Sequence, residues 1–565
     1  MNGAKLVIQL LRDKGVSRVF GYPGGAIMPI YDALFESGIE HVLSRHEQGS
    51  GFAALGYAKI TGKPAVCIAT SGPGATNLIT ALGDANFDSV PLVVITGQVS
   101  TEVMGTDAFQ EIDMLGLSLA VTKHSFLVEK VEQLEDIINQ AFELASSGRP
   151  GPVLIDFPKN VQLAAIEKQS SESVVSSEIS KASPKDVSNC DNVSAAINLL
   201  LHSKKPVFYV GGGALIAEAQ DELNQLLALL QVPSVATLKG LGAINLENEL
   251  YLGMLGMHGN AAANYTVQEC DCLVVVGARF DDRVTGKLDG FATNAKVIHL
   301  DIDRAEINKL RTADVALLGD LKPYLKAIIE GLSELKSEAY VKWCKRILEM
   351  KKQHAWQYDK PGESIFAPRL LKDLSTKLKS PSIVTTDVGQ HQMWTAQHMR
   401  FSDKARLITS GGSGTMGFGL PVAIGAQFAE PDSRVVVVSG DGSFMMNVQE
   451  LATIKRYALP IKIILIDNQK LGMVRQWQQL FFEKRYSETD LSDNPDFVTL
   501  AKAFNIEAET ISQKNQVEDA LNRALDSKGA YLLHIKIEDK DNVWPLVPPG
   551  ATNEEMMEKI YDAYI

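Results

Sequence analysis

The chain has 565 residues, of which 45% are hydrophobic and 22% charged, and this balance excludes a mainly disordered protein. There are 55 Lys and Arg against 68 Asp and Glu, a net charge of −13, which argues against nucleic acid or an anionic membrane surface as the main partner. At roughly 150 residues per domain the length predicts three to four domains, and no apolar run approaches the roughly 18 residues that a membrane span requires.

The first segment, MNGAKLVIQLLRDKGVSRVFGYPGG, has the pattern of an amphipathic helix, a strand and a glycine turn. It matches neither a signal peptide nor an Arg-rich transit segment. The five cysteines form no CxxC pair, and two of them lead directly into the apolar run CLVVVG. Buried thiols are therefore favoured over disulfides or metal ligation, and we expect a cytoplasmic protein.

Apolar runs of Val, Ile and Leu alternate with helical patterns in three successive blocks, which is typical of parallel sheets covered by helices. Clear strands are AVCIAT and PLVVITG in the first block, PVFYVGGG and KVIHLDID in the second, and RVVVVSGDGS and IKIILIDN in the third. We therefore predict an α/β protein of three consecutive domains, each with a central parallel sheet flanked by helices. The predicted boundaries are 1–165, 191–340 and 364–548 for the domains, 166–190 for a serine-rich linker, and 549–565 for a polar tail that forms a lid or cap.

The most specific motif lies in the third block, where Gly440-Asp441-Gly442 and Asp467-Asn468 each end a predicted strand. In open α/β sheets, ligands bind at this carboxyl edge. Glycines let a phosphate approach the backbone, and Asp441 and Asn468 offer the hard oxygen ligands that suit Mg²⁺. The simpler alternative is a pair of ordinary strand-to-helix turns in which the Asp is a helix cap. The combination of the two motifs on one strand–helix–strand frame argues against that alternative.

This spacing resembles the diphosphate-binding motif of thiamine diphosphate enzymes. The resemblance implies a carboxylate that hydrogen-bonds the aminopyrimidine ring and activates the cofactor, and Glu47, in the segment RHEQG, takes that position. On its own, Glu47 would be a first-turn residue that complements the helix dipole. In these enzymes the glutamate comes from the partner subunit, so the resemblance also implies at least a homodimer.

The same resemblance implies the remaining contacts with the cofactor and its metal. Met416, in the segment GGSGTMG, would support the bent cofactor from below, and the alternative is a core methionine in a flexible glycine loop. His391 would contact the cofactor, although a lone histidine is more often structural. The implied thiamine diphosphate contacts are Val388, Gly389, Gln390, His391, Gly414, Met416, Gly440, Asp441, Gly442, Ser443, Asn468, Lys470, Gly472 and Met473, and the implied Mg²⁺ ligands are Asp441, Asn468 and the main-chain carbonyl of Lys470.

Motifs spread over essentially the whole chain are together similar to the catalytic subunits of acetohydroxyacid synthases (acetolactate synthases). They are GYPGGAIMPIYDAL, RHEQG, ATSGPGATN, GTDAFQE, SSGRPGPVLID, GMHG, GARFDDRVTG, TDVGQHQMW, GDGSF and GMVRQWQ. The family condenses pyruvate with pyruvate to 2-acetolactate, or pyruvate with 2-ketobutyrate to 2-aceto-2-hydroxybutyrate, at the start of valine, leucine and isoleucine synthesis. The resemblance implies this reaction, a homodimer or a dimer of dimers, and a small regulatory subunit.

The family also binds FAD in its central domain without using it in a redox step. The segment YVGGGALI, a strand with a glycine turn and a helix, and Asp301 at the end of the strand KVIHLD fit a nucleotide site in outline, because an acidic group there can meet a ribose hydroxyl. The segment RFDDR carries more weight, since catabolic acetolactate synthases, which lack FAD, also lack it. The implied FAD contacts are Arg149, Gly211, Gly212, Gly213, Thr237, Leu238, His258, Arg279, Asp301, Ile302, Asp320 and Gln392.

For the second keto acid, the resemblance assigns Arg283 to pair with the carboxylate through a bidentate fork, and Trp477 to an apolar wall that favours an ethyl over a methyl group. The alternatives are a surface ion pair of Arg283 with Asp281 or Asp282, and a core position for Trp477 beside Phe481. The other implied active-site residues are Gly25, Phe109, Gln110 and Lys159, and the access channel, where sulfonylurea-type inhibitors bind in the family, adds Ala26, Pro91, Ala108 and Met257.

Three positions depart from the family pattern. Ser413 stands where Leu is common, Asp467 replaces the first Asn of the usual pair, and Lys470 occupies the position whose carbonyl completes the magnesium shell. An ammonium group cannot coordinate Mg²⁺, so Lys470 fits the pattern only through its carbonyl.

Two other classes of protein compete with this interpretation. One is a thiamine–flavin oxidoreductase such as pyruvate oxidase, against which RFDDR and GMVRQW argue. The other is a non-catalytic nucleotide-binding or regulatory protein, which is disfavoured because the GDG and DN motifs, Glu47 and Arg283 are all intact.

Overall fold

The computed structural model describes residues 1–166, 191–332, 340–402 and 405–558. Within these ranges the predicted apolar runs form three six-stranded sheets. All strand pairs whose register is resolved are parallel. The prediction of an α/β protein with three parallel sheets is therefore confirmed.

The strands follow one another through the three sheets in chain order. In the first sheet they are β1 Arg18–Gly21, β2 Glu40–Leu43, β3 Ala65–Ala69, β4 Leu92–Gln98, β5 His124–Leu127 and β6 Pro152–Pro158. In the second sheet they are β7 Pro206–Val210, β8 Ser234–Ala236, β9 Tyr251–Met254, β10 Cys272–Val276, β11 Lys296–Asp301 and β12 Val315–Leu318. In the third sheet they are β13 Ser382–Thr386, β14 Ala405–Thr409, β15 Arg434–Gly440, β16 Lys462–Asp467, β17 Glu507–Ile511 and β18 Tyr531–Lys536.

Helices connect these strands. Around the first sheet they are α1 Gly3–Asp13, α2 Met28–Leu34, α3 Glu47–Thr61, α4 Pro73–Thr76, α5 Ile79–Phe87, α6 Met114–Ser118, α7 Leu134–Ser146 and α8 Lys159–Leu163. Around the second they are α9 Asp191–His202, α10 Gly213–Ile216, α11 Gln220–Leu230, α12 Ala261–Glu269, α13 Asp282–Thr285, α14 Leu321–Gly331 and α15 Val341–Gln353. Around the third they are α16 Ala367–Lys377, α17 Gln390–His398, α18 Gly419–Ala429, α19 Asp441–Met446, α20 Leu451–Arg456, α21 Gly472–Phe481, α22 Phe497–Ala503 and α23 Val517–Asp526.

The order of the strands in each sheet is not their order in the chain, so each sheet is built from crossover connections. The orders are β2-β1-β3-β4-β6-β5, β12-β11-β10-β7-β8-β9 and β14-β13-β15-β16-β18-β17. Because the strands are parallel, the carboxyl ends of neighbouring strands meet at one edge of each sheet. That edge is where open α/β sheets bind their ligands.

The chain divides into two compact units, and these do not coincide with the predicted boundaries. One unit contains the first sheet and the third sheet except the start of β14, and the other contains the second sheet together with 364–378, 393–407 and 540–548, which we had predicted as parts of the third domain. The reason is visible at the end of the chain, where the Val547 N–H donates to the carbonyl of Met257 at 2.9 Å. The described part of the tail continues on the same unit, since the Asn553 amide donates to the carbonyl of Val284 at 3.1 Å. Apart from Ile166, the predicted linker lies outside the described residues.

The first and third sheets share one hydrophobic core that includes α3 and α18. These two helices meet backbone against backbone at a pair of glycines. A Cβ on Gly56 of α3 would lie 2.1 Å from the carbonyl oxygen of Val422, and a Cβ on Gly425 of α18 would lie 1.7 Å from that of Ala53. Only glycine allows this approach, so the two helices pack this closely because neither carries a side chain at the contact.

Several local details differ from the predicted elements. The helix expected between the GDG and DN strands, in the segment NVQELATIKRYA, is confined to α20. A short 3-10 turn at Val448–Glu450 precedes it, and α19 begins directly at Asp441. Cys67, Cys270 and Cys272 are buried, as predicted, whereas Cys344 is half-buried. No helix among the described residues is both long and apolar enough to cross a bilayer.

Candidate active site

The carboxyl edge of the third sheet brings together the ends of three neighbouring strands, β13, β15 and β16. Asp387 follows β13, Asp441 follows β15 as the first residue of α19, and Asn468 follows β16. The side chains of all three are buried. The two halves of the predicted motif therefore lie on adjacent strands of one sheet edge.

Asp441 is a buried carboxylate with one side-chain donor beside it. Its side chain is only 2% exposed, and its Oδ2 accepts a hydrogen bond from the Asn494 amide at 3.0 Å. Burial, and then the negative charge of Asp467, raise the pKa of Asp441 well above its ordinary range. A carboxylate in this situation gains most from a bound cation, which would replace its lost hydration and neutralise its charge.

Asp467, which departs from the family pattern, has its own partner. His534 Nε2 lies 2.8 Å from the Asp467 carboxylate, and His534 Nδ1 lies 3.0 Å from the Thr510 hydroxyl. Burial opposes ionisation of Asp467, but the hydrogen bonds from His534 and the Gln469 N–H, together with the nearby charge of Lys536, outweigh it and the pKa of Asp467 is lowered. The aspartate at this position is thus stabilised as an anion by a histidine from the next strand, β18.

Asn468 is held in an amide chain. It donates to Gln390 Oε1 at 3.1 Å, and Gln390 donates in turn to Gln476 at 3.0 Å. The Lys470 N–H donates to Asn468 Oδ1 at 3.1 Å, while the Lys470 ammonium forms an ion pair with Asp490. The ammonium therefore has an anionic partner, which is consistent with Lys470 facing the metal through its carbonyl.

His391 is the clearest unsatisfied group at this edge. It is 5% exposed, and within the described residues its Nε2 has no hydrogen-bond partner. Burial lowers the pKa of His391 to about 3, so the ring is neutral. A Cβ on Gly440 would lie 2.6 Å from His391 Nδ1, which places the ring against the GDG segment. A buried polar atom without a partner at this point fits a phosphate or pyrimidine contact better than a purely structural role.

The donor set fits Mg²⁺. The described residues contain no group of three or more His, Cys, Asp or Glu that could hold a metal by themselves. Asp441, Asn468 and a main-chain carbonyl supply only hard oxygens, and magnesium normally completes such a partial set with diphosphate oxygens and water.

Met416 lies next to the GDG segment, on the loop between β14 and α18. Its Cε is 3.8 Å from the position that a Cβ on Gly442 would take. Met416 is only partly buried, which argues against the alternative of a core methionine. The loop is also not free: the Ser410 hydroxyl at its start donates to Asp84 at 2.7 Å, and Asp88 accepts the Gly412 N–H at 3.0 Å.

Glu47 is the first residue of α3, at the carboxyl edge of the first sheet. Its Oε2 accepts a hydrogen bond from the Asn77 amide at 2.9 Å, and its Oε1 lies 3.4 Å from the position of a Cβ on Gly74. Its place at the helix start also agrees with the simpler dipole interpretation, so the geometry permits both roles.

Other predicted residues lie on segments that follow strand ends of the first sheet. A Cβ on Gly72, which has φ of +58°, would lie 2.9 Å from Gln110 Cβ. Phe109 is 87% exposed, and Gly25 and Lys159 are exposed as well. An exposed phenylalanine of this kind is expected on a surface that is covered when cofactor, substrate or a partner is bound.

The predicted flavin residues of the second unit also lie at a carboxyl edge. Those that follow strand ends or lie close behind them are Gly211, Gly212 and Gly213 after β7, Thr237 and Leu238 after β8, Arg279 after β10, Asp301 and Ile302 at the end of β11, and Asp320 after β12. His258 donates from Nδ1 to the Pro545 carbonyl at 3.0 Å, and burial lowers its pKa to about 4. Arg149 and Gln392 belong to the other unit, where Arg149 donates to Ser89 at 2.8 Å and Gln392 to Thr409 at 2.7 Å.

The glycine turn after β7 has a packing role that the sequence did not reveal. A Cβ on Gly211 would lie 2.3 Å from the Gly277 carbonyl oxygen, and one on Gly213 would lie 2.7 Å from Gly277 Cα. Two of the three glycines are therefore required by the contact of β7 with the chain after β10. The other feature predicted for a nucleotide site is Asp301 at the end of β11. This residue is 9% exposed, and its side chain accepts the Asp303 N–H at 2.9 Å.

The two residues assigned to the second keto acid lie in different units. Arg283 is exposed and its Nε is 3.7 Å from Asp282 Oδ2, so the surface ion pair considered for it is present. Its Nη1 is also 3.6 Å from Met257 Sδ. Trp477 is half-buried on α21, with its ring centroid 5.4 Å from that of Phe481, itself 37% exposed. The half-buried position argues against a core role for Trp477, although the contact with Phe481 is present.

Four residues that the sequence did not single out contribute to this site. They are Asp84, Asp88, Asn494 and His534, which contact the glycine loop, Asp441 or Asp467. The two aspartates of the first domain stand four positions apart in the apolar segment ITALGDANFDS, and this spacing on a helix could have indicated one shared polar face. Nothing local marks Asn494 or His534.

Comparison with known proteins agrees with the arrangement of sheets. Residues 1–117 match the thiamine pyrophosphate enzyme N-terminal TPP binding domain, residues 193–328 the central domain, and residues 387–535 the C-terminal TPP binding domain. The fold and the polar carboxyl edges thus define a thiamine pyrophosphate (thiamine diphosphate) enzyme, and thiamine diphosphate is its cofactor.

Full-length relatives narrow this class. The chain is 58% identical over 560 residues to the acetolactate synthase isozyme 2 large subunit of Escherichia coli K12, covering 99% of this chain and 100% of the relative. It is 46% identical to the acetolactate synthase large subunit of Parasynechococcus marenigrum, with 99% and 91% covered, and 44% identical to a probable acetolactate synthase large subunit of Methanocaldococcus jannaschii, with 99% and 96% covered. The chain belongs to the family of acetolactate synthase large subunits, and it catalyses the first step of branched-chain amino acid synthesis.

Proposed function

We propose that this chain decarboxylates pyruvate and joins the remaining two-carbon unit to a second 2-keto acid, pyruvate or 2-ketobutyrate. Bound thiamine diphosphate supplies the nucleophilic carbon for both steps. The observation that carries this proposal is the pairing of buried Asp441 and Asn468 on adjacent strands beside the unsatisfied His391. That edge holds hard oxygen ligands and a neutral imidazole where a magnesium diphosphate would need them.

We propose that the Glu47 carboxylate hydrogen-bonds the aminopyrimidine ring of the cofactor and thereby activates it. Its second oxygen accepts a hydrogen bond from Asn77, which orients the carboxylate and leaves Oε1 to face the cofactor. The Glu47 of one subunit would serve the third domain of another, so we propose a homodimer, or a dimer of dimers, as the active assembly. The very exposed Phe109 of the first domain supports this, since a large aromatic is rarely left in water without a covering partner.

Asp441, Asn468 and the carbonyl of Lys470 are proposed to hold Mg²⁺. Val388, Gly389, Gln390, His391, Gly414, Gly440, Gly442, Ser443, Gly472 and Met473 would hold the cofactor around them. The hydrogen bond from the Ser443 hydroxyl to the carbonyl of Val388, at 3.0 Å, joins two of these segments. Met416, beside Gly442, would support the bend between the two rings of the cofactor.

We propose that the carboxyl edge of the second sheet holds FAD as a structural cofactor. Support comes from the position of Asp301 at the end of β11 and from the RFDDR segment. The names of the relatives, which describe large subunits, support a small regulatory subunit as a partner. The buried thiols of Cys67, Cys270 and Cys272 support a cytoplasmic location.

Arg283 is proposed to bind the carboxylate of the second keto acid, exchanging its exposed ion pair with Asp282 for a bidentate pair. Trp477 would then form the apolar wall that distinguishes an ethyl from a methyl group. Gly25, Gln110, Phe109 and Lys159 would line the approach to the reacting carbon.

The experiment that tests the proposal compares Glu47→Gln with Glu135→Gln, an exposed glutamate in the first turn of α7. Both variants remove a first-turn charge, but only the first removes the proposed activator. We expect Glu47→Gln to lose nearly all turnover and to slow exchange of the C2 proton of bound thiamine diphosphate, with unchanged far-UV circular dichroism. Normal turnover of Glu47→Gln would refute the assignment, because Glu47 would then be, like Glu135, only a first-turn charge of a helix.

The products of the unsubstituted enzyme distinguish the competing classes of protein. Supplied with pyruvate alone and with added 2-ketobutyrate, this enzyme should release 2-acetolactate and 2-aceto-2-hydroxybutyrate. Oxygen uptake or dye reduction equal to pyruvate loss would instead identify a pyruvate oxidase. Failure to bind thiamine diphosphate with Mg²⁺ would identify a non-catalytic protein.

A further inference from the structure

The loop that carries Met416 is fastened to the first domain by two buried carboxylates. Asp88, at the end of α5, accepts the main-chain N–H of Gly412 at 3.0 Å and that of Gly411 at 3.3 Å. Asp84, one turn earlier, accepts the Ser410 hydroxyl at 2.7 Å. Three consecutive residues at the start of the loop are thus bound by one face of one helix.

These contacts are of the strong kind. Asp84 is 0% exposed and Asp88 6% exposed, so their hydrogen bonds are little screened by water. Lys59 Nζ lies 3.6 Å from Asp88 Oδ2 and balances its charge. A Cβ on Gly412 would lie 2.5 Å from Phe87 Cβ, so the loop rests directly on the helix.

The fastening is passed along the loop to Met416. The Ser410 hydroxyl that donates to Asp84 also accepts the N–H of Thr415 at 2.9 Å, which closes the loop and fixes the residue immediately before Met416. The Met416 side chain then reaches the GDG segment beside Gly442. A continuous set of hydrogen bonds therefore connects α5 of the first domain to Thr415, the residue before the methionine that lies beside the GDG motif.

We propose that Asp88 and Asp84 are positioning residues for catalysis, which aim Met416 at the cofactor by holding the Ser410–Gly412 backbone. The inference rests on the proposed function, because Met416 supports the cofactor only in that proposal. Its consequence is that the first domain acts twice: it supplies Glu47 from one end of α3, and it sets the loop beneath the cofactor through α5.

The test uses Asp88→Asn in the full-length enzyme with thiamine diphosphate, Mg²⁺ and FAD. Asparagine keeps the size and one acceptor, but its amide cannot accept the second glycine N–H. We expect turnover and C2 proton exchange to fall by about 10-fold to 100-fold, the cost of misplacing a group by about 1 Å. Amide hydrogen exchange at residues 411 and 412 should rise in the same variant.

The matched control is Asp271→Asn. Asp271 also accepts two successive main-chain N–H groups, those of Lys204 and Lys205, both at 2.8 Å, but it lies in the other unit and contacts no site residue. The same substitution there should lower stability to a similar degree and leave turnover within about twofold of the unsubstituted enzyme. A comparable fall in both variants would overturn the positioning role in favour of general destabilisation.

A double-mutant cycle with Met416→Ala identifies the route of the effect. If Asp88 acts through Met416, the double variant is no slower than Met416→Ala alone. The inference would be overturned if the two substitutions lowered turnover additively, or if Met416→Ala were slow while Asp88→Asn had normal turnover. Either result would leave the proposed function standing. Normal turnover of Met416→Ala would refute the role of Met416 itself. Should Asp88→Asn fail to fold, Ser410→Ala breaks the same connection and is expected to slow C2 proton exchange in the same direction.

Discussion

The contact between α3 and α18 gives the sharpest structural prediction. In Gly425→Ala the new Cβ would lie 1.7 Å from the carbonyl oxygen of Ala53, whereas such contacts essentially never fall below 3.0 Å. Both sides of the contact are backbone in the middle of helices, so no side chain can turn away. The helices themselves must separate.

The magnitude follows from two opposing effects. Overpacking of a core costs about 1–3 kcal/mol when neighbouring side chains can shift, and the upper end or more applies here because only backbone is available to move. Alanine recovers about 0.5–1 kcal/mol of helix propensity relative to glycine. We therefore expect a net loss of at least about 2 kcal/mol, and a fall in turnover as well, because α3 carries Glu47 at its start.

The assay is thermal unfolding by circular dichroism together with pyruvate consumption. Gly529→Ala is the control, since a Cβ there meets nothing within 4 Å, and it should change stability by no more than about 0.5 kcal/mol. If Gly425→Ala unfolds at the same temperature as Gly529→Ala and keeps full activity, then the two helices are not in backbone contact and the argument fails.

Two further predictions concern the proposed metal and the choice of substrate. The affinity of the cofactor-free protein for Mg²⁺ should rise between about pH 5 and pH 8, above the range in which an ordinary carboxyl group titrates. The reason is that burial and the charge of Asp467 raise the pKa of Asp441, so that the ion must displace a proton from this carboxyl group. Titration calorimetry that shows a constant affinity over that range would contradict this prediction. Trp477→Leu should lower the preference for 2-ketobutyrate over pyruvate by roughly 10-fold or more, since one methylene is worth about 1–3 kcal/mol in an apolar pocket. An unchanged ratio of products from a mixture of both keto acids would remove Trp477 from the wall.

The three sheets could be predicted because their signal is local. Buried parallel strands are short runs of branched apolar residues, and the runs that contain Val436, Ile464 and Val274 became central strands as expected. The GDG and DN motifs could be placed on one edge for the same reason, since parallel strands bring their carboxyl ends together.

What the sequence could not supply are contacts between residues far apart in the chain. Asp88 meets Gly412, and Asp467 meets His534, through backbone geometry that no local pattern encodes. The glycines at 211 and 213 are a further case: their spacing indicates a nucleotide turn, and their small size is in addition required by the chain beside them, which the sequence did not reveal. Local pattern thus predicts the edge where chemistry occurs, and tertiary packing decides how each group is held there.

The crossing of α3 and α18 also determines how this part of the molecule can move. A contact made of backbone has no rotamers with which to absorb a displacement, so a shift of one helix is passed to the other almost undiminished. The third domain cannot tilt its diphosphate edge without carrying along the helix that begins at Glu47. The movements needed to admit a large cofactor must therefore come from loops, and the exposed segment around Phe109 is the part of the first domain best able to provide them.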